Sequence, residues 1–170
     1  MIEAVLFDFN GIIVDDESVQ LEAYREALKP EAIELTDEHY YAALGMDDRS
    51  FVRAQFARAG KLMSEEAMLA VLERKAKTHR EKLDAELPLF PGVVTFVKAC
   101  ARHYTTGLVS MARREDVEYV LERAGLRDSF DAIVCAEDVE AHKPDPTCYN
   151  LAFRLVDRAR YSKNLNLLVP

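Results

Sequence analysis

Four short runs of continuous apolar residues, 4–9, 105–110, 132–136 and 165–169, set the tightest limit on what this chain can fold into. Their apolar residues do not alternate with polar ones, so each run reads as a strand buried on both faces. Between the second and third runs, Val117, Val120, Leu121 and Ala124 recur at i, i+3, i+4, i+7, and Gly125 follows as a stop. Val93, Phe96, Val97 and Cys100 make the same stripe ahead of the second run. Strands alternating with helices predict an α/β fold, a Rossmann-like parallel sheet joined by right-handed crossovers.

The stretch from 16 to 87 breaks this alternation. It contains no strand pattern, only helical segments near 17–29, 37–44, 48–59 and 65–85, divided by Pro30, Gly45 and Gly60, with Ser64 as an N-cap. A helical block of this length between two strands is an insertion. "PLFPGV" (88–93) reads as the rigid return from it. The expected organisation is a core of 1–15 and 88–170, with an all-helical cap over 16–87.

Composition narrows the classes. A hydrophobic share of 49% beside 31% charged residues fits a soluble globular chain, and no apolar run nears the roughly 18 residues of a membrane span. Acids outnumber bases 30 to 22, and a net charge of −8 argues against nucleic acid or an anionic membrane as partner. The N-terminus shows no signal-peptide pattern. Cys100, Cys135 and Cys148 are scattered without a CxxC, which fits buried reduced thiols in the cytoplasm better than a metal–cysteine site.

In an open parallel sheet, ligands sit beyond the carboxyl ends of the strands. There the sequence sets Asp8-Phe9-Asn10-Gly11 after the first run, Ser110 at the end of the second, and "AHKPDP" (141–146) beyond the third. A central strand carrying Asp8, flanked by Ser110 and Lys143, would bring a carboxylate, a hydroxyl and an ammonium to one edge. Those groups suit phosphoryl chemistry: a nucleophile, a donor to a phosphoryl oxygen, and a compact cation. Gly11 lets the backbone turn sharply and present N–H groups to an anion. Each residue alone has a plainer reading. Asp8 is then a turn residue, Ser110 an N-cap, Lys143 a solvated loop lysine, and Asp145-Pro146 a cap with proline at the first helical position.

"VLFDFNGIIVDDE", "GLVSMARRE" and "HKPDP", in this order and with a helical insertion after the first, resemble the haloacid dehalogenase superfamily. The similarity is to its helical-cap subgroup, which includes β-phosphoglucomutase and phosphoglycolate phosphatase. The resemblance implies an Asp8 nucleophile that takes a phosphoryl group from a small phosphorylated metabolite. It implies Mg²⁺ on the Asp8 carboxylate and the Asn10 backbone carbonyl, phosphoryl oxygens bound by Ser110 and Lys143, and substrate contacts from Gly11 and Met111. In the cap, "GMDDRS" (45–50) and "ERKAKTHREKL" (73–83) resemble a substrate-facing loop and a lysine-bearing helix, which nominates Arg49 and Lys75. The plainer reading of Lys75 is a solvated helix face.

The sequence departs from that family in two main places. The general acid/base, an aspartate two residues after the nucleophile, is replaced by Asn10, and an amide cannot shuttle a proton near neutral pH. Ile12 stands where a small or hydroxylated residue is usual, a lesser departure. The family's last motif, an acidic pair after the fourth strand, is not found before Pro170, and the last core strands are missing from the pattern. One carboxylate, one carbonyl and water predict weak Mg²⁺ binding. A terminal fourth strand at 165–169 would have an open edge, which predicts a homodimer through it. Three activities stay open: an impaired phosphohydrolase or phosphomutase, a non-catalytic relative that binds phosphorylated ligands, and a metal-independent dehalogenase.

Overall fold

In the computed structural model, which describes residues 2–141 and 143–166, with the last four by backbone alone, three strands form one parallel sheet. They are β1 (Ala4–Phe7), β2 (Thr105–Val109) and β3 (Ala132–Val134), in the order β1-β2-β3. The helices are α1 (Glu17–Leu28), α2 (Asp37–Tyr41), α3 (Asp48–Arg58), α4 (Glu65–Ala85), α5 (Val93–His103), α6 (Arg114–Arg123) and α7 (Thr147–Asn166). The chain divides into two compact units: Met1–Asp15 with Leu89–Pro170, and Asp16–Pro88.

In the sheet unit the register sets Phe7 opposite Leu108 and Val109 opposite Val134, so the carboxyl ends of all three strands are level. Every residue of β2 is buried, including the polar Thr105 and Thr106, as expected of a strand flanked on both sides. Phe7 packs edge-on against Phe96 and Phe130, at 6.0 and 5.8 Å between ring centroids. On α7, Cys148, Ala152 and Val156 repeat at one-turn spacing and are buried, the first two in a cluster with Val109 and Val134. Gly107 allows this close approach. A Cβ there would lie 2.6 Å from Leu6 Cδ2 and 2.9 Å from Val156 Cγ2. The return after the insertion is tied back to the sheet unit, where Leu89 bridges Val14 and the Phe90 amide donates to the Ile13 carbonyl at 3.3 Å.

Two expectations are corrected. Among the described residues β1 is the outer strand and β2 the middle one, so Asp8 does not follow a central strand. The run at 165–169 does not begin as a strand, because α7 continues through Leu165 and Asn166. No glycine or proline stands between Pro146 and Pro170 to stop that helix. The rest of that run, residues 167–169, lies outside the described residues, as does the edge on which the homodimer was expected.

The second unit is built of helices joined by loops, with no strand among its described residues. Leu21, Tyr24, Leu28, Phe51, Val52, Met68 and Val71 form its core. Its helix starts follow capping chemistry: Thr36, Asp47 and Ser64 accept the amides of His39, Ser50 and Ala67.

Candidate functional site

The chain leaves β1 at Phe7 and turns at once. The Ile13 and Val14 amides both donate to the Phe9 carbonyl, and the Gly11 amide donates to the Val14 carbonyl at 2.9 Å. Gly11 makes this turn at φ +76°, in the left-handed region where a side chain would be strained. The turn holds Asp8 just past the strand end with its carboxylate nearly half exposed, and the Phe9 amide donates to Asp8 Oδ1 at 2.7 Å.

Lys143 comes from the loop after β3 and meets that carboxylate. Its Nζ lies 3.0 Å from Asp8 Oδ2 and donates to the Val109 carbonyl at 2.9 Å, and the ammonium sits 5.3 Å from the centre of the Tyr149 ring. A solvated loop lysine would make none of these contacts. Three anchors fix one ammonium at the junction of β1 and β2, where a compact cation is best placed to offset anionic charge.

Ser110 follows Val109 and is buried. Its amide extends the ladder to the Val134 carbonyl at 2.8 Å, and its Oγ accepts the Ala112 amide at 3.0 Å. Ser110 therefore caps a local turn instead of α6, whose N-cap is Arg113. Met111 packs onto the cluster of Val109, Val134, Cys148 and Ala152.

Two supports were not legible in the sequence. Glu137 accepts the Arg114 amide through both carboxylate oxygens, at 3.1 and 3.0 Å, where negative charge meets the positive end of α6. Asp138 pairs with the Arg114 guanidinium. Together they fasten the turn after β3 to the start of the helix that follows the Ser110 loop. Glu137 and Asp138 are adjacent acids, but their partner Arg114 lies more than twenty residues away in the sequence. Asp145 caps the start of α7 as expected, accepting the Thr147 amide at 2.9 Å, and the Thr147 hydroxyl and amide lower its carboxyl below the usual value.

Hard oxygen donors of the kind Mg²⁺ prefers are present in Asp8 and in the Asn10 backbone. Among the described residues no group of three or more His, Cys, Asp or Glu side chains converges to complete a metal site.

The remaining nominated residues lie in the helical unit. The Arg49 guanidinium is engaged by Glu65. Lys75 is not on a solvated face. It is 7% exposed, with Nζ 3.2 and 3.4 Å from the two Asp48 carboxylate oxygens and 4.9 Å from the centre of the Tyr24 ring. The Tyr24 hydroxyl donates to the same Asp48 carboxylate at 2.6 Å. Burial, and then the Asp48 charge, push the Tyr24 phenol well above its ordinary value. One turn along α4, His79 Nε2 lies 2.9 Å from Asp16 Oδ2, both side chains being buried, and Gln20 also donates to that oxygen.

Comparison with known proteins identifies the family. The sequence profile of the haloacid dehalogenase-like hydrolases matches residues 5–161. The putative phosphatase YhcW of Bacillus subtilis is 31% identical over 160 residues, covering 89% of this chain and 68% of that protein. β-Phosphoglucomutase from Clostridium difficile shares the fold with a TM-score of 0.81 at 22% identity, over 92% of this chain and 72% of its own. An Asp-to-Asn mutant of CbbY from Rhodobacter sphaeroides, solved with xylulose-1,5-bisphosphate, superposes with a TM-score of 0.79 at 26% identity, over 92% of this chain and 73% of its own. The present chain thus spans about two thirds of the length of the curated relatives it matches. With an aspartate, a serine and a lysine gathered at the carboxyl ends of a parallel sheet, and the family profile running through all three, this chain belongs to the haloacid dehalogenase-like hydrolases.

Proposed function

We propose that this chain transfers the phosphoryl group of a small phosphorylated metabolite through an aspartyl-phosphate on Asp8, as a phosphohydrolase or phosphomutase whose turnover is limited by Asn10. The observation that carries the reading is the Lys143 ammonium, held 3.0 Å from the Asp8 carboxylate and anchored on the Val109 carbonyl. That pairing supplies a cation where phosphoryl oxygens would gather.

In this account an Asp8 oxygen attacks phosphorus as the bond from phosphorus to the leaving oxygen breaks. Lys143, the Ser110 hydroxyl and the backbone of the Gly11 turn hold the phosphoryl oxygens, with Met111 beside them. Water, or a second hydroxyl of the substrate, then takes the phosphoryl group from Asp8. Both halves need a proton moved at the leaving or entering oxygen, and the Asn10 amide cannot move it. The Asp8 carboxylate and the Asn10 backbone carbonyl would hold Mg²⁺, which would supply neutralisation of phosphoryl charge. The helical unit selects the substrate, through Arg49 and Lys75. The three buried free cysteines support a reducing, cytoplasmic setting.

Asn10 also favours a second reading, a relative that binds phosphorylated ligands without turning them over. Turnover of p-nitrophenyl phosphate with and without Mg²⁺ separates the two. Asn10→Asp should raise Mg²⁺-dependent turnover by roughly 10²–10⁴-fold, the usual worth of a positioned acid/base. Lys143→Met in that background should remove most of the gain. An Asn10→Asp protein that binds phosphate and stays inactive would favour the second reading.

A further inference from the structure

In an in-line displacement the attacking and leaving oxygens stand on opposite sides of phosphorus. Among the described residues, the groups that touch the Asp8 carboxylate are the Phe9 amide, 2.7 Å from Oδ1, and the Lys143 ammonium, 3.0 Å from Oδ2. Both therefore stand on the attacking side of a bound phosphoryl group, within reach of its equatorial oxygens and not beside the leaving one. Lys143 is fixed there by its second bond, to the Val109 carbonyl at 2.9 Å. Of the carboxylates after β3, Glu137 holds the Arg114 amide, Asp138 pairs with the Arg114 guanidinium, and Asp145 caps α7 on the Thr147 amide. Asn10 adds an amide, which neither gives nor takes a proton near neutral pH. No group that holds Asp8 thus lies where it could protonate a departing alkoxide.

We propose that the phosphoryl donors of this chain are acyl phosphates, the mixed anhydrides of phosphate with a small carboxylic acid, and not the phosphate monoesters of alcohols. The inference rests on the reading of Asp8 as phosphoryl acceptor and narrows it to one class of donor. An Asp8 oxygen forms its bond to phosphorus as the bond from phosphorus to the acyl oxygen breaks. The electron pair of that bond leaves on the departing carboxylate, so for these donors the first half of the reaction moves no proton. It also exchanges one acyl phosphate for another and lies close to balance. An alkyl monoester would instead have to climb to an acyl phosphate while expelling an alkoxide. It would need an acid at the leaving oxygen and fast hydrolysis of the aspartyl-phosphate to draw it forward. Asn10 supplies neither.

The test pairs acetyl phosphate with ethyl phosphate, which match in size and charge and differ in the acidity of the leaving oxygen. Each is mixed with Mg²⁺ and the intact 170-residue chain. Mass spectrometry of acid-quenched samples gives the rate of Asp8 phosphorylation, and proton NMR gives the release of acetate or ethanol. Displacement of inorganic phosphate by each probe corrects the rates for occupancy. Acetyl phosphate should label Asp8 at least about 10²-fold faster than ethyl phosphate releases ethanol. Asn10→Asp should raise ethanol release roughly 10²–10⁴-fold more than it raises labelling by acetyl phosphate, a split that a merely structural effect of the substitution would not produce. Equal gains for the two probes, or ethanol release by the wild-type chain within about tenfold of acetate release, would overturn the donor class and leave Asp8 as acceptor. If acetyl phosphate leaves Asp8 unlabelled, the acceptor itself is refuted and this inference with it.

Discussion

In the proposed mechanism, a substrate with a good leaving group would let Asn10 divide the phosphoryl transfer into a half that runs without an acid and a half that still lacks its base. Attack by the Asp8 carboxylate needs no external base, since Lys143 holds it beside a positive charge. Expelling a leaving group as good as acetate needs no acid. Hydrolysis of the acyl phosphate needs a base to activate water, and the amide offers none. The aspartyl-phosphate should therefore outlive its formation, and Asn10→Asp should shorten its life. Cys135 gives an independent handle at the same scale. Burial pushes its thiol up to about 11, with Asp138 and Glu137 adding to the shift and Arg114 opposing it. Below the unfolded thiol's ordinary value both states keep the proton, and between that value and about 11 only the folded state does. Stability should fall as pH rises through that window. Urea midpoints at pH 8 and pH 10, for the wild-type chain and Cys135→Ala, check this, and only the wild type should show the Cys135 share of the decline.

At the scale of elements, the contact that sets the sheet unit is α7 lying on β2 at Gly107. Gly107→Ala would force Leu6 and Val156 apart and should cost about 1–3 kcal/mol, read as a lowered urea midpoint. Much of this architecture was legible. The helical segments near 17–29, 48–59 and 65–85 were visible because apolar periodicity and capping residues such as Ser64 agree there. The strands were visible because short runs rich in apolar and β-branched residues stand between helical patterns, though β1 is only partly buried at Ala4, Val5 and Leu6, and each strand was read one or two residues too long where Phe9, Ser110 and Ala136 continue the pattern beyond the ladder. The start of the run at 165–169, Leu165 and Asn166, misled for a complementary reason. Apolar content alone cannot separate a strand from the end of an uninterrupted helix, and α7 continues into it. In the site, Asp8, Ser110 and Lys143 could be read from their places after strands. The Glu137 cap and the burial of Lys75 could not, because each depends on a partner distant in sequence.

For the molecule as a whole, a sheet unit that holds the reacting groups and a helical unit with its own core make up one hydrolase-family chain with a net charge of −8. Among the described residues no helix is long and apolar enough to cross a membrane. In the proposed account the excess of acid weighs against polyanionic partners and leaves anion binding to the ammonium of Lys143. The central claim is that Asp8 of this 170-residue chain accepts a phosphoryl group. The most direct measurement incubates the intact chain with acetyl phosphate and Mg²⁺, quenches in acid, and locates the modification by mass spectrometry. The account predicts a single added phosphoryl group on Asp8, lost in Asp8→Asn, reduced in Lys143→Met, and shorter-lived in Asn10→Asp. A chain that stays unmodified, or one labelled equally after Asp8→Asn, would contradict it.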